Sequence, residues 1–590
     1  MIIRFGPGGF NLGDILFGGA PREHQPEGEG PTPEPTPVRP RKPKKAISRT
    51  RMVVTNLLFT LLFGLVYYYL ELPAINLKNP GFYGFFLLLS AFYCVLSIAR
   101  TFGLSTMQDG KELWKGIKDC CLVPAILCGA LILLFLIGNL ISAPIFRAKA
   151  YSELLKTEES SFTEDIDEIS FDQIPMLDST SANNLANRKL GELADLVSQF
   201  EVNGESYQIN YNDRPVRVTF LNYGDIFKWF KNTSSGIPAY MVIDMVSQEV
   251  TVKRLAEGIR YSPSELFFRY VNRYLRFRYP TLMFEDVNFE IDEEGRPWWV
   301  ASVITKRIGL FGGEDVIGAV LMDAVTGESE YCAVADIPTW VDRAFTADII
   351  MQQYDYYGMY HNGFINSLFT QSGCTVTTRG YNYIAQDDDV WVYTGITSVG
   401  GDESNIGFIL VNQRTKAAKY YAIAGAEEYS AMSSAEGAVQ QYKYVSTFPL
   451  LLNLEGQPTY FMALKDASSL VKMYAMVNVQ QYQIVATGTS VADCQQSYLE
   501  QLRKNGLVTE IAPAPSTVPD TVPVEGKIEE IRSSVIAGNT HYYLLIKGVW
   551  YDVNILDAPE AAILNPGDSV HLETAGTDSP IVTAFSAELK

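Results

Sequence analysis

Three long apolar stretches without charged residues dominate the first quarter of this 590-residue chain. They cover Met52 to Leu70, Gly81 to Ala99 and Leu122 to Ile145, and the rest of the chain contains no fourth. A helix needs about 20 apolar residues to cross the hydrocarbon core of a bilayer. The pattern therefore predicts a transmembrane anchor of three helices, followed by one large water-soluble region.

After the anchor, the pattern changes to short strand-like runs that end in Asp or Asn, with Ser or Thr three positions later and a second run beyond. Three such pairs are 240–244 with Ser247, 319–323 with Thr326, and 408–412 with Thr415. An Asp or Asn at the start of a turn can accept hydrogen bonds from the backbone two residues on, so each pair predicts a β-hairpin. Helix-compatible segments lie between the pairs, for example Leu185 to Phe200 and Ser262 to Tyr279. We expect an α+β fold in which a helix plus an antiparallel sheet is used repeatedly.

Composition predicts six segments along the chain. They are a disordered cytoplasmic tail (1–51), the three-helix anchor (52–146), an acidic, solvated stalk (147–181), α+β modules (182–506, divided near 182–260, 261–345, 346–430 and 431–506), a Pro-rich linker (507–523) and a small β-barrel (524–590). The barrel is predicted from five short strand-like runs with a strong turn signal at Asn565 to Asp568, and its strand order resembles an OB-like fold.

One turn and the strand before it carry a resemblance to a known family. The residues are Asp323, Thr326, Gly327 and Glu328 in the turn, and Trp298 and Trp299 on the strand. The pattern resembles PepSY-type modules of bacterial envelope proteins, and the order of spans, modules and β tail is similar to uncharacterised multi-pass membrane proteins of Gram-positive Firmicutes. The third hairpin departs from the pattern, with Asn412 and Lys416 in place of Asp and Gly. The resemblance implies an interaction or regulatory role and supplies no catalytic residues.

Charge indicates the orientation of the anchor. Seven Lys and Arg residues lie between Arg39 and Arg51, just before the first span, and basic residues in short flanks stay in the cytoplasm. We therefore expect a cytoplasmic N-terminus and an extracytoplasmic location for residues 147–590 in the cell membrane. The net charge of −20 argues against general binding to nucleic acid. The absence of charged residues within the spans argues against a pump or transporter.

The best binding candidate is a basic, aromatic-rich segment that stands out from the acidic background. Its arginines are Arg260, Arg269, Arg273, Arg276 and Arg278. On a helix, Arg269, Arg273 and Arg276 would share one face, and a guanidinium group suits phosphate or carboxylate ligands. An anionic wall polymer or the acidic tail of an envelope protein is the expected partner. The alternative is that these arginines pair with the acidic stretch from Glu285 to Glu294.

Other candidate chemistry is sparse. Two groups of carboxylates could form solvated loops, bind a cation or perform acid/base catalysis. One comprises Glu285, Asp286, Asp292, Glu293 and Glu294, and the other comprises Asp387, Asp388 and Asp389. Cys374 with His361 could form a nucleophile and base, or Cys374 could be a buried thiol or one half of a disulfide, since Cys332, Cys374 and Cys494 allow one. We expect no cofactor and no metal site.

These observations favour a membrane-anchored, extracytoplasmic interaction or scaffold protein of the cell envelope, which binds a partner or wall polymer without catalysis. The alternatives are an envelope hydrolase that uses a carboxylate cluster, and a sensor or assembly subunit of a membrane complex.

Overall fold

The computed structural model describes residues 49–104, 110–166, 174–175, 177–386, 388–400, 404–508, 522–536, 539–555, 558–574 and 581–589. Most of the predicted N-terminal tail, most of the Pro-rich linker and Asp387 lie outside these ranges.

Three N-terminal helices are each long and apolar enough to cross a membrane, as predicted. They are α1 (Arg49–Glu71), α2 (Pro80–Leu104) and α3 (Gly110–Ser142). The third predicted span reached Ile145, but α3 ends three residues earlier. Ala143 has ψ of 137° because it precedes a proline, and Pro144 then begins a separate helix, α4 (Pro144–Ser152).

The segment after α4 is packed against the rest of the protein, which differs from the predicted solvated stalk over 147–181. It contains strand β1 (Thr157–Glu159) and helix α5 (Phe162–Asp165). Tyr151, Leu155, Phe162 and Ile166 are all buried, and β1 pairs with a strand of the main body. The acidic composition concealed these apolar residues, which are spaced several positions apart between exposed carboxylates.

Four sheet units make up the main body. The first contains α6 (Ser179–Gly191), α7 (Ala194–Val197), β2 (Phe200–Val202), β3 (Tyr207–Asn210), β4 (Pro215–Tyr223), α8 (Ile226–Asn232), β5 (Ile237–Asp244) and β6 (Val250–Ile259). The second contains α9 (Val271–Arg278), β7 (Met283–Ile291), β8 (Pro297–Ile308), β9 (Gly312–Asp323) and β10 (Ser329–Ala333).

The third unit contains α10 (Ala347–Tyr360), α11 (Phe364–Phe369), β11 (Thr375–Thr377), β12 (Asn382–Gln386), β13 (Asp389–Ser398), β14 (Ser404–Asn405), β15 (Gly407–Asn412), β16 (Ala418–Tyr421) and β17 (Gly425–Ala426). The fourth contains α12 (Glu428–Ala438), β18 (Val445–Ser446), β19 (Leu450–Leu454), β20 (Gln457–Lys465), β21 (Val471–Asn478), β22 (Val485–Gly488) and α13 (Val491–Lys504).

In each unit the main strands pair antiparallel in chain order, as β4-β5-β6, β7-β8-β9-β10, β13-β15-β16 and β20-β21-β22. In the third unit β14 and β17 form a separate two-stranded sheet, and β1 pairs with β16 in parallel. In the first, third and fourth units the first position is divided between two short strands, β2/β3, β11/β12 and β18/β19. In the second unit β7 is continuous, but its pairing with β8 shifts register between Phe284 and Val287, within the strand that corresponds to the divided position of the other units. The units are therefore variations on one plan, which was predicted as repeated helix and antiparallel sheet.

The three predicted hairpins are present, and their turns have the expected hydrogen bonds. Side-chain oxygens of Asp244, Asp323 and Asn412 each accept bonds from the backbone N–H groups two and three residues later. Asn478 makes the same two bonds in the fourth unit. The sequence pattern missed Asn478 because Gln481 stands where the other turns have Ser or Thr, although the backbone N–H is the donor in every case.

Neighbouring units share hydrophobic cores. In the core of the first two units, the Trp299 ring lies 4.9 Å from the Phe220 ring and 5.2 Å from the Phe289 ring. The third and fourth units share a second core, in which the rings of Phe408 and Tyr460 are 6.0 Å apart. The second and third units share a further core, so the four units are parts of one continuous body.

The C-terminal strands form a closed barrel with its own core. They are β23 (Val522–Ile536), β24 (Asn539–Ile546), β25 (Val549–Asn554), β26 (Ser569–Thr574) and β27 (Ile581–Leu589). The order around the barrel is β23-β24-β25-β27-β26, and β25 pairs with β27 in parallel.

Candidate functional site

The basic segment is less helical than predicted. Helix α9 covers only Val271 to Arg278, and a separate 3₁₀ turn covers Phe267 to Arg269. Arg269 therefore does not continue a helical face with Arg273 and Arg276. Its Nη1 instead donates a 2.5 Å hydrogen bond to the carbonyl oxygen of Thr233.

Arg273 and Arg276 bind the C-terminal end of α1. Arg273 Nε donates to the carbonyl oxygen of Tyr69 at 3.0 Å, and its guanidinium lies 4.0 Å from the centre of the Tyr69 ring. Arg276 Nε donates to the carbonyl oxygen of Leu72 at 2.9 Å, and its Nη1 donates to that of Leu282. The last carbonyls of a helix lack intrahelical donors and carry partial negative charge, so two arginines are suitable caps.

The remaining two arginines are more accessible. Arg278 is exposed, and Arg260 forms a loose ion pair with Glu257 at 3.5 Å. Among the described residues, these five arginines form this one ion pair. The structure therefore differs from the alternative in which they pair with residues 285–294. Ligand binding by the arginines stays a prediction, but three of the five already donate to backbone carbonyl groups.

A hairpin tip makes a second contact between body and anchor. Residues 309–311 connect β8 to β9, and the Phe311 ring lies 5.0 Å from Phe135 and 5.4 Å from Tyr83. The backbone N–H groups of Leu310 and Phe311 both donate to Ser142 Oγ at 2.9 Å. This turn between β8 and β9 therefore packs against α2 and α3.

An acidic cleft lies where turns of the first and third units meet. Its volume is about 570 Å³, and its charged lining residues are Asp213, Arg214, Asp244 and Asp388. Arg214 Nη1 lies 3.7 Å from Asp244 Oδ2, which leaves three carboxylates to one guanidinium along the lining. The cleft therefore has an excess of negative charge.

Burial and neighbouring carboxylates both raise the pKa values of acidic residues at this cleft. Burial, followed by the carboxylates of Asp213 and Asp389, raises the pKa of Asp388, while Arg414 opposes the shift. Burial, followed by Asp388 and Asp213, also raises the pKa of Glu293, which lies on the turn between β7 and β8. Because a nearby cation would favour the charged forms, this arrangement is suited to a positively charged ligand.

A buried polar network lies beneath the cleft. Asn210, which lines the cleft, donates its backbone N–H to Asp342 Oδ2 at 2.6 Å, and Asp342 donates its own N–H to Glu290 Oε2 at 2.8 Å. Burial raises the pKa of Glu290 to about 7, and burial followed by Glu290 raises the pKa of Asp342. Arg343 is half-buried beside this network and lies over the rings of Tyr207 and Tyr383.

The position of the cleft relative to the anchor follows from the strand order. The β7–β8 turn that carries Glu293 lies at the opposite end of its sheet from the Phe311 tip, because β8 connects the two. Strand β8 has 12 residues and spans about 40 Å at ~3.3 Å per residue. The cleft thus lies at the end of the body away from the anchor.

The carboxylates predicted for catalysis have structural partners in two cases. Asp292 accepts bonds from the Arg296 N–H at 2.8 Å and from the Trp298 indole at 3.0 Å. Asp389 accepts two bonds from Arg414, at 2.6 and 2.8 Å. Asp388, the residue before Asp389, lines the cleft, whereas Asp389 itself is buried.

The structure places Cys374 as a buried thiol rather than as one half of a disulfide or as a nucleophile paired with His361. All seven are free thiols. Cys374 is buried, its Sγ donates to the carbonyl oxygen of Met359, and burial raises the pKa of its thiol. His361 Nδ1 instead lies 3.0 Å from the carbonyl oxygen of Tyr357. A raised pKa disfavours the nucleophilic thiolate.

Sequence reasoning did not identify Glu290, Asp342 or Arg343. A signal was available, since each is a charged residue within an otherwise apolar run, Phe289 to Ile291 or Val341 to Phe345. Charged residues at such positions are buried only when they have partners. Their partners come from different units, and no spacing along the chain reveals them.

No protein-family model and no curated protein matches this chain.

Proposed function

We propose that this is a membrane-anchored, multi-pass interaction protein of the bacterial cell envelope, which binds a positively charged segment of a partner protein in its acidic cleft without catalysing a reaction. The residues after the third span lie outside the cytoplasm in this proposal. Support for the anchoring comes from the three apolar helices and the basic residues before the first of them.

The observation that carries the proposal is the excess of carboxylates in the cleft. Asp213, Asp244 and Asp388 share a single arginine there, and repulsion helps to raise the pKa of Asp388. Among the described residues, no three His, Cys, Asp or Glu side chains are placed to hold a metal ion. A lysine- or arginine-containing segment is therefore the cation that fits best.

The same observation changes the expected partner. An anionic wall polymer would need free guanidinium groups, but Arg269, Arg273 and Arg276 already donate to carbonyl groups of the protein. A basic protein segment would instead meet unpaired carboxylates at the end of the body away from the anchor. Long-range attraction between such opposite charges accelerates association.

Fold-level likeness adds to the proposal. We regard the four sheet units as PepSY-like modules, because each combines a helix with an antiparallel sheet of the same strand order. We regard the barrel as OB-like, because its strands follow the order first, second, third, fifth and fourth. Both likenesses are associated with binding surfaces rather than with one reaction, and they support the role only by analogy.

A second role, as a sensor or assembly subunit of a membrane complex, is favoured by the close contact of body and anchor. Arg273, Arg276 and Phe311 all contact the membrane helices or their ends. A ligand in the cleft would then act on a body that is joined firmly to the anchor.

The proposal is tested by photo-cross-linking in intact cells of the native host. A photoreactive amino acid replaces Ser247, an exposed residue that lines the cleft, and, as a control, Glu500 on the exposed side of α13. We expect an adduct specific to position 247 whose cross-linked peptide contains a cluster of Lys or Arg. Identical adducts at both positions, or a cross-linked acidic peptide at position 247, would contradict the proposal.

A further inference from the structure

An exposed aromatic surface lies on the first unit and on the turn before α9. It consists of Ile226, Phe227, Phe230, Phe267 and Phe268. Phe227 is 83% exposed, Phe230 77%, and Phe267 and Phe268 62% each. Contiguous exposed apolar side chains of this kind usually mark a surface that is covered in the working protein.

This aromatic surface is continuous with the end of the first membrane helix. The Phe268 ring lies 5.8 Å from the ring of Tyr69, which is in the last turn of α1. On its other side, the Phe267 ring lies 6.2 Å from Trp229, whose indole in turn lies 5.5 Å from Phe230. Because Phe267 and Phe268 are consecutive residues, these ring contacts connect the end of α1 to the exposed side chains of α8.

Several features hold these rings outward. Trp229 faces the body and donates its Nε1 hydrogen to Glu265 Oε2 at 2.8 Å. This fixes the orientation of the short helix α8, so that Phe227 and Phe230 point into solvent, away from the body. Phe267 has a φ of 53°, a left-handed conformation that a bulky residue rarely adopts. The Thr233 carbonyl group, which accepts a bond from Arg269, ties the 3₁₀ turn to the end of α8.

The chemistry of the surface matches the border between lipid tails and head groups. Aromatic side chains are enriched at that border, next to the ends of membrane spans. Lys228 and Lys231 lie between and beside the exposed phenylalanines on α8. The amino group of Lys228 lies 3.2 Å from Asp225 Oδ2, whereas that of the exposed Lys231 can reach the head groups.

We propose that the aromatic surface lies in the lipid interface of the leaflet at which α1 ends, so that the body rests on the membrane rather than standing clear of it. This inference rests on the proposed anchoring of α1 to α3 in a membrane. The occupant is a lipid surface, argued from the ring contacts that join Phe268 to Tyr69 at the end of the span.

The test measures lipid contact directly in the full-length protein, reconstituted in phosphatidylcholine nanodiscs. Tryptophan is introduced by Phe227→Trp and, separately, Phe267→Trp, and the emission of each added residue is obtained by subtracting the wild-type spectrum. Lipids brominated at the upper acyl chain quench tryptophans that they touch. Leu133→Trp on exposed α3 is the anchoring reference, and Tyr482→Trp on the exposed β21–β22 turn is the solvent reference.

We expect brominated lipid to reduce the added emission at positions 227 and 267 roughly twofold, with little change at position 482. Quenching at position 133 without quenching at 227 and 267 would overturn the inference while leaving the anchoring intact, and would instead favour a protein partner for this surface. An unquenched tryptophan at position 133 would contradict the anchoring itself, and the inference with it.

Discussion

The basic segment and the acidic cleft both stand out by charge, but the structure uses them in opposite ways. Arg273 and Arg276 donate to carbonyl oxygens at the end of α1, at 3.0 and 2.9 Å, within the junction of body and anchor. Asp213 and Asp388 line an open cleft with few cations beside them. The first set of charges holds the protein together, whereas the second set is available to a ligand.

A cluster of charged residues in a sequence therefore does not indicate by itself whether its groups are free to bind a ligand. Guanidinium groups can be satisfied by backbone carbonyls, which leave no trace in the pattern of charged residues. Carboxylates need N–H donors or cations. Asp244 and Asp292 have such donors within their own turns, whereas Asp388 lies near the carboxylates of Asp213 and Asp389. The comparison can be tested by exchanging single members of each set.

The largest effect is expected between two neighbouring carboxylates. Asp389→Asn should lower the free energy of unfolding by about 3 kcal/mol, because it removes the charge partner of Arg414 from a partly buried bidentate pair. Asp388→Asn should change it by less than about 0.5 kcal/mol or raise it slightly, because repulsion is removed and Asn tolerates the positive φ of 62°.

Urea unfolding of the full-length protein, followed by tryptophan fluorescence, measures both variants. Equal losses of stability would show that Asp388 is as structural as Asp389, and the distinction between structural and available carboxylates would fail.

The arginines provide the next comparison. Arg276→Met should lower the free energy of unfolding by about 2 kcal/mol, because it leaves the part-buried carbonyl groups of Leu72 and Leu282 without this donor. Arg278→Met is the matched control, since Arg278 is exposed, and it should cost less than about 0.5 kcal/mol.

The same variants should differ in proteolysis at the junction. Limited trypsin digestion should cut between anchor and body faster in the Arg276 variant only. Similar digestion rates in both variants would contradict a structural role for Arg276.

Stability should also depend on pH through Glu290 beneath the cleft. Burial raises its pKa to about 7 from an ordinary value of 4.5, so folding favours the protonated carboxyl group between these values. This contribution is complete below about pH 4.5 and is lost as the pH rises through 7. Between pH 5 and pH 8 the wild type should lose on the order of 2 kcal/mol that Glu290→Gln does not lose.

Unfolding curves of both proteins at four values of pH measure this difference. Parallel pH profiles would mean that Glu290 titrates in the folded protein as it does in the unfolded chain.

Much of this architecture could be predicted from local patterns. The three spans follow from apolar length, the hairpins at Asp244, Asp323 and Asn412 from a turn side chain, and the barrel strands from alternation and turn residues. These features depend on neighbours in sequence. The end of α3 at Ser142 was predictable too, since Pro144 disfavours helix at Ala143.

The parts that failed depend on partners that are distant in sequence. Nothing near Arg273 indicates that Tyr69, about 200 residues earlier, will accept its hydrogen bond. The packed segment around Leu155 and Phe162 appeared solvated because carboxylates lie between its scattered apolar residues. The cleft arises only when turns of separate units come together, so Asp213 could not be linked to Asp388 by spacing.

The most direct test of the comparison measures the binding of two oppositely charged peptides, one rich in lysine and one rich in glutamate, to the full-length protein in nanodiscs. The variants are Asp213→Asn/Asp388→Asn in the cleft, Arg260→Gln/Arg278→Gln among the accessible arginines, and Glu201→Gln/Glu500→Gln as a charge-matched control on exposed residues. We predict that the lysine-rich peptide binds, that added salt weakens its binding, and that only the cleft variant loses affinity, by roughly tenfold or more. Preferred binding of the glutamate-rich peptide, lost in the arginine variant, would contradict the account.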